Sequence, residues 1–493
     1  MKVKIPSWNQ HHNLLPPPLY CEKSQPDIRW RGRSILTLID LFPITAHIDP
    51  DGYLWLGGCR ADVLAREFGT PLYVFDEVTL RDRCRRYKAA LAEHYPAPSQ
   101  VAYAGKAYLC LALAALLAEE RLGLDVVSGG ELYLARQAGF PLAAVHFHGN
   151  NKSAAELEMA LDWGVGRIVV DNAHELELLE RLAGERAGPE RSRRGWRVPI
   201  WLRLSPDIDL HTHTYNKTGL ADSKFGFPLA GGFAEQALQA ALASPYLELV
   251  GLHTHLGSQA FETGPFAAAV EVLLAFAGEM GRKYGFRLQE LSPGGGWGVP
   301  YHQDDPPAQL EEYVRAVSLA TVEGCARHGL PLPRLILEPG RSIVGPAGVA
   351  LYTVGARKII PGVRTYVAVD GGMADNIRPA LYGVRYTALA ATKARQPAGE
   401  VVTMVGKYCE SGDRLMCDIR LPKLEPGDLL AVPVAGAYHL PLASNYNLAL
   451  RPAVVWVKDG QARLVQRRES YEDLVARDAV PLHLGASSPS SLG

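Results

Sequence analysis

"VAYAGKA" (residues 101–107) is an apolar run that ends on a lysine. Its length and bulk suit a buried strand, which places Lys106 where that strand stops. Two readings of the lysine are open. Its stem can lie along apolar surface with the ammonium in water. Alternatively, the amine is held in an apolar pocket with a lowered pKa, ready for covalent chemistry with a carbonyl.

The same shape recurs along the chain. It is seen in "LDVVSGGE" (124–131), "AVHFHGNN" (144–151), "RIVVDN" (167–172) and "IWLRLSP" (200–206). It returns in "LVGLHTHLGS" (249–258), "LQELSPGGGWG" (288–298) and "LILEPGRS" (335–342). Helix-like segments such as "SAAELEMALDW" and "FAAAVEVLLAFAGEM" fall between the runs. Strands alternating with helices fit a (β/α)8 barrel, and the alternation alone also fits a doubly wound open sheet. Polar residues favour the barrel, because they collect at the C-terminal ends of the runs. They are Lys106, Ser128, His148, Asn150, Asp171, Arg203, His255, Ser258, Gly294 to Gly296, Glu338 and Arg341. In a barrel those ends converge on one face, where active sites are built.

Beyond residue 345 strand-like runs dominate, from "GVALYTVGARKI" to "AVVWVKDGQARLVQ", with Gly, Pro and Asp between them. The expected organisation is an α/β barrel over 78–345 and a mainly-β domain, barrel or sandwich, over 346–480. Segment 46–77 joins the β-domain, 1–45 is an extension without an assigned role, and 481–493 is a flexible tail.

Composition narrows the function. Of 493 residues, 51 are Lys or Arg and 52 Asp or Glu, a formal charge of -1, which argues against nucleic-acid or anionic-membrane binding. The seven cysteines are scattered and lack CxxC spacing, which points to a reducing, cytoplasmic setting. "MKVKIP" has no apolar stretch behind it and "ILTLIDLF" is too short to span a bilayer.

Four features carry chemistry. Lys106 is the first. "SPGGGWG" (292–298) presents Gly294, Gly295 and Gly296 as a turn or a phosphate cradle. "LHTHLGS" places His253 and His255 on one strand, as core histidines, as part of a metal site with Glu338 or Asp370, or with His255 against an aromatic cofactor and Ser258 on its phosphate. Glu338 in "LEPGRS" either pairs with Arg341 or faces a protonated pyridine nitrogen. Lysine, cradle, imidazole and carboxylate together describe a pyridoxal 5'-phosphate site, with no metal.

The chain resembles the fold-type III pyridoxal-phosphate decarboxylases, and among them the diaminopimelate decarboxylases. "YAGKA", "DVVSGGEL", "FHGNNKS", "HTHTYNKTGLADSKFGF", "GLHTHLGSQ", "GGGWG", "EPGRSIVG", "VDGGMADNIRPALY", "CESGD", "GAY" and "SNYN" carry the likeness, from about residue 48 to about 458. The resemblance implies that meso-2,6-diaminopimelate, a small amino acid, is decarboxylated to L-lysine and CO2. Lys106 would hold the cofactor covalently and His255 would stack on its ring. Ser258 and Gly294 to Gly296 would hold the phosphate, and Glu338 the pyridinium. Arg341, Arg378 and Tyr382 would bind substrate, and Tyr438 would lie near substrate and phosphate. Cys409 would donate a proton and Glu410 would recognise the distal head group, both reaching across a homodimer interface. The same machinery also serves ornithine, lysine, arginine or carboxynorspermidine in other branches, and an inactive binding homologue is a third possibility. Three positions depart from the family pattern: Tyr108, Tyr386 in place of a common histidine, and His439 in place of a small residue, which would narrow the site.

Overall fold

The computed structural model describes residues 37–193, 196–208 and 223–484. "HTHTYNKTG" (211–219), residues 1–36 of the extension and 485–493 of the tail lie outside the described residues.

After a small three-stranded sheet within residues 47–60, strand β1 (Leu72–Asp76) precedes helix Glu77–His94. Eight further strands follow: β2 (Ser99–Ala104), β3 (Gly123–Val126), β4 (Val145–Phe147), β5 (Arg167–Val170), β6 (Val198–Ser205), β7 (Leu247–His253), β8 (Glu290–Ser292) and β9 (Arg334–Leu337). Each pairs in parallel with the next, and β9 pairs back onto β2 with Leu335 opposite Ser99. The ring is closed, so the fold is the barrel and not the open sheet. Every one of the eight apolar runs became a barrel strand.

The crossover helices begin and end where local chemistry says they should. In helix Ala154–Trp163, Ser153 and Glu156 form a reciprocal capping box, and Gly164 ends it at φ 69 and ψ 46. Helix Gly264–Tyr284 is apolar and long enough to cross a membrane by composition. Here Phe266, Val270, Leu273 and Leu274 are buried, and the helix packs on helix Leu310–His328.

Strand alternation decides what fills the barrel. Ala102, Val169, Trp201, Val250 and Ile336 form a compact inner cluster, while their strand neighbours Tyr103, Ile168 and Leu335 join the larger outer core. Trp201 acts as a plug. Its Nε1 donates to Glu290 Oε2 at 2.7 Å, and Arg167 grips both Glu290 oxygens at 2.6 and 2.8 Å. The N-terminal half of the barrel is therefore filled, and only the C-terminal half can open.

Strands β10 (Gly348–Ile360), β11 (Arg364–Val369), β12 (Glu400–Val405), β13 (Arg414–Leu421), β14 (Leu429–Val432), β15 (Ala453–Lys458) and β16 (Gln461–Gln466) build the second sheet. Its order is β13-β12-β11-β10-β1-β15-β16, with β14 also on β10. The early strand β1 sits in the middle of it, antiparallel to β10 and parallel to β15. Asp459 and Gly460, at φ 51 and 75, form the two-residue turn between β15 and β16.

Candidate active site

A cavity of about 440 Å³ opens over the barrel's C-terminal face, where strand ends meet the β-domain. Lys106, His255, Ser258, Glu338 and Arg341 reach it from the barrel; Arg378, Tyr382 and Tyr438 close it from the β-domain. Residues as far apart as 106 and 438 share this wall because the barrel and β1 bring their elements together.

Glu338 is buried at its floor, 7% exposed. His253 Nε2 lies 3.0 Å from Oε2, and Ser292 Oγ donates to Oε1 at 2.5 Å. Burial pushes His253 down to about 4, so at neutral pH its ring is uncharged and donates Nε2–H. Burial alone would raise Glu338, but His253, His148 and Ser292 hold it well below the ordinary carboxylate range. Among the described residues, no lysine or arginine lies within ion-pair distance of Glu338. The pairing with Arg341 that the spacing allows does not form.

The two histidines of the HxH pair part company. His255 Nδ1 accepts from the Gly295 N–H at 3.3 Å, and burial, then Lys106 and Arg203, depress its pKa far below the usual value. It is a neutral ring at the cavity wall. His253, His148 and Glu338 do present ligand-type atoms within 4.8 Å of one another, but His255 is not among them. Asp370 bonds Thr353 N and Thr70 instead.

The glycine run is dictated by backbone crowding. A Cβ on Gly295 would stand 1.9 Å from Glu338 O, and one on Gly296 2.1 Å from Gly257 O. Gly294 would strike Thr254 O at 2.5 Å. These three glycines lie behind the 255–258 segment and let it reach the cavity; Gly257 and Ser258 form the wall itself.

Two buried guanidiniums face the cavity without a carboxylate. Arg341 Nη1 donates to the Tyr301 hydroxyl and its Nη2 to Ser258 Oγ at 3.0 Å, while Nε has no partner. Arg378 lies 4.6 Å from the centre of the Tyr301 ring and donates to the Tyr386 hydroxyl. Burial works against the Arg378 charge, and the oxygens of Tyr301 and Tyr386 more than offset it. Among the described residues neither arginine has an ion-pair partner.

Lys106 sits in the single turn Gly105–Ala107 directly after β2, and its side chain is exposed in the open cavity rather than enclosed in an apolar pocket. The next carbonyl, Ala107 O, accepts from Tyr438 N at 2.8 Å. Tyr438 holds that bond at φ 61, an unusual backbone for a bulky residue, with its ring 4.6 Å from the Arg341 guanidinium. Cys409 and Glu410 are exposed and line no part of this chain's cavity.

A family model described as the pyridoxal-binding domain of pyridoxal-dependent decarboxylases matches residues 78–345. A diaminopimelate decarboxylase of Bacillus subtilis is 48% identical over 434 residues, covering 88% of this chain and 97% of that one. The chain belongs to the diaminopimelate decarboxylase family. The crystal structure of the M. jannaschii diaminopimelate decarboxylase with L-lysine aligns at a TM-score of 0.80 and 35% identity, covering 89% and 98%. A Vibrio vulnificus lysine/ornithine decarboxylase shares the fold at a TM-score of 0.66 and 24% identity, covering 81% and 97%.

Family members use pyridoxal 5'-phosphate, and the residues present fit it. Glu338 is buried, its pKa is held low, and among the described residues no lysine or arginine pairs with it, so its charge is available to a ring N–H. Lys106 is accessible in the same cavity, whose volume suits a small cofactor and substrate.

Several participants were missed in the sequence. Ser292 and Tyr301 hold Glu338 and Arg341. Asp125 lines the cavity, 3.0 Å from His146 and 3.6 Å from His148. Ser292 and Asp125 had a signal, since each lies in a strand run already singled out. His439 does not narrow the cavity; it is fully buried beneath it, bonded to Tyr386.

Proposed function

We propose that this chain decarboxylates meso-2,6-diaminopimelate to L-lysine and CO2, working as a cytoplasmic homodimer with pyridoxal 5'-phosphate. The carrying observation is the pair Arg341 and Arg378, two buried cations that have no ion-pair partner among the described residues, on the wall that holds Lys106 and Glu338. Diaminopimelate keeps a distal carboxylate for that wall to hold while the other is lost as CO2, whereas ornithine and lysine have none.

Lys106 would bind the cofactor covalently, Glu338 would hold its ring nitrogen, His255 would flank the ring, and Ser258 with Gly294 to Gly296 would secure the phosphate. When bound, the cofactor supplies an electron-poor ring that takes up the electron pair left when the Cα–carboxylate bond breaks. Arg341, Arg378, Tyr382 and Tyr438 bind and orient the substrate, so that the bond to be broken is set by contacts at its far end. Each charge-assisted contact is worth roughly 1.5–3 kcal/mol. The neutral His253 keeps Glu338 ionised without cancelling its charge.

Cys409 holds the proton that returns to Cα after CO2 leaves, and Glu410 recognises the distal amino group. Their exposure on their own chain supports a site completed by a second copy, with residues 78–345 as cofactor unit and 346–480 as the unit that lends this loop. None of the six cysteines among the described residues is in a disulfide, which supports a reducing compartment.

The deciding experiment incubates cofactor-loaded protein separately with meso-diaminopimelate, ornithine and lysine and measures CO2. Release from diaminopimelate alone is expected; release from ornithine alone overturns the assignment.

A further inference from the structure

Among the described residues Arg378 has no ion-pair partner, yet a chain of buried groups leads from it to a carboxylate. Its Nη1 donates to the Tyr386 hydroxyl oxygen. That hydroxyl lies 2.8 Å from His439 Nε2. On the other side of the imidazole, Nδ1 lies 3.2 Å from the Tyr73 hydroxyl, which is 3.1 Å from Asp375 Oδ2. Tyr352 donates to the same carboxylate oxygen at 2.5 Å, and the Gly372 N–H donates to Oδ1 at 2.8 Å. No member from Arg378 to Asp375 is more than 3% exposed.

The ends of this chain fix its direction. A guanidinium only donates, so Tyr386 accepts from Arg378 and passes its own proton to His439 Nε2. Burial, then the charges of Arg378 and Arg341, keep His439 uncharged. A neutral imidazole that accepts at Nε2 donates at Nδ1, here to Tyr73, which in turn donates to Asp375. Every hydrogen bond points from the cation to the carboxylate, so each one polarises the next.

The arrangement also meets a mechanical need. Arg378 and Arg341 lie 4.6 and 5.7 Å from the centre of one ring, that of Tyr301. Like charges around one ring repel, and the hydrogen bond to Tyr386 fixes the Arg378 guanidinium against that repulsion. Tyr386 holds one of them, and His439 holds Tyr386.

We propose that Tyr386 and His439 are positioning residues that hold the Arg378 guanidinium at the cavity wall to receive a substrate carboxylate, with Asp375 as its remote counter-charge. Neither side chain lines the cavity. They act through Arg378, on substrate binding rather than on the bond-breaking step. The inference rests on the proposed function, in which Arg378 meets diaminopimelate.

The test compares Tyr386→Phe, His439→Leu and His439→Gln in the cofactor-loaded enzyme. Glutamine keeps an acceptor for Tyr386 and a donor for Tyr73. Loss of a hydrogen bond to a charged group predicts that Y386F and H439L each raise KM for diaminopimelate roughly 10- to 150-fold. Their kcat stays within about threefold and the cofactor absorbance is unchanged, because the reacting centre is untouched. H439Q recovers much of the lost KM. A KM within about twofold of the native value in Y386F, an equal fall in kcat, or no recovery in H439Q over H439L overturns the proposal. Should H439L fail to fold, Y386F decides alone, since it deletes one oxygen. If the native enzyme releases no CO2 from diaminopimelate, the functional assignment has failed instead.

Discussion

His253 Nε2 lies 3.0 Å from Glu338 Oε2, and the ring that makes this contact is uncharged at neutral pH. The carboxylate is thus held in place while its negative charge is left for the cofactor. Glu338→Gln keeps the shape and removes that charge. Losing one partner of a buried charge pair costs roughly 3–5 kcal/mol, on the order of 10²–10⁴ in rate. Steady-state decarboxylation measures it; a loss under about tenfold contradicts the role of Glu338.

The same buried histidines set the acid stability. Burial takes His253 from 6.5 down to about 4, and depresses His255 and His439 further. The unfolded chain accepts protons near pH 6.5 that the native state refuses, so stability is full above that pH and falls as pH drops towards 4. For His253 alone the shift is worth about 3 kcal/mol. Asp375, raised by burial from 3.8 to about 6, works with the opposite sign over that interval. Thermal midpoints measured from pH 7 to 5 should fall, and should fall less steeply in His253→Gln. Parallel slopes in the two proteins would show that His253 does not titrate in this way.

Gly295 has no room for a side chain, because a Cβ would stand 1.9 Å from Glu338 O. Gly295→Ala must push the Glu338 backbone aside, a strain of about 1–3 kcal/mol or more. Cofactor titration followed by absorbance should show weaker binding together with a lower thermal midpoint. Native affinity in the variant would mean that the loop yields more easily than its packing implies.

Much of this was legible in the sequence. Each barrel strand is a short apolar run that stops on a polar residue, and both signals are local. The β15–β16 turn is equally local, written as Asp459-Gly460. The Tyr73–His439–Tyr386 chain was not legible, because 366 and 53 residues separate its partners and no local pattern joins them. Lys106 could be placed at a strand end, but its exposure depends on how the β-domain roofs the barrel. The glycine run was read as a turn or a phosphate cradle from its lack of side chains; the crowding by Thr254, Glu338 and Gly257 that demands glycine there was not legible, because it comes from other strand ends.

If Cys409 and Glu410 complete the partner's site, two different inactive variants should rescue each other. Lys106→Ala and Cys409→Ala dimers, dissociated and mixed, place one intact site in each mixed dimer. Random reassociation of a two-fold dimer gives about a quarter of native activity. Activity that stays at the level of the separate variants contradicts a shared site.

The central claim is that Lys106 is the cofactor's covalent anchor. Borohydride reduction of the cofactor-loaded enzyme, followed by digestion and mass spectrometry, locates that anchor directly. A pyridoxyl group on the peptide that carries Lys106 is the predicted result. Its appearance on another lysine, or on none, contradicts the account.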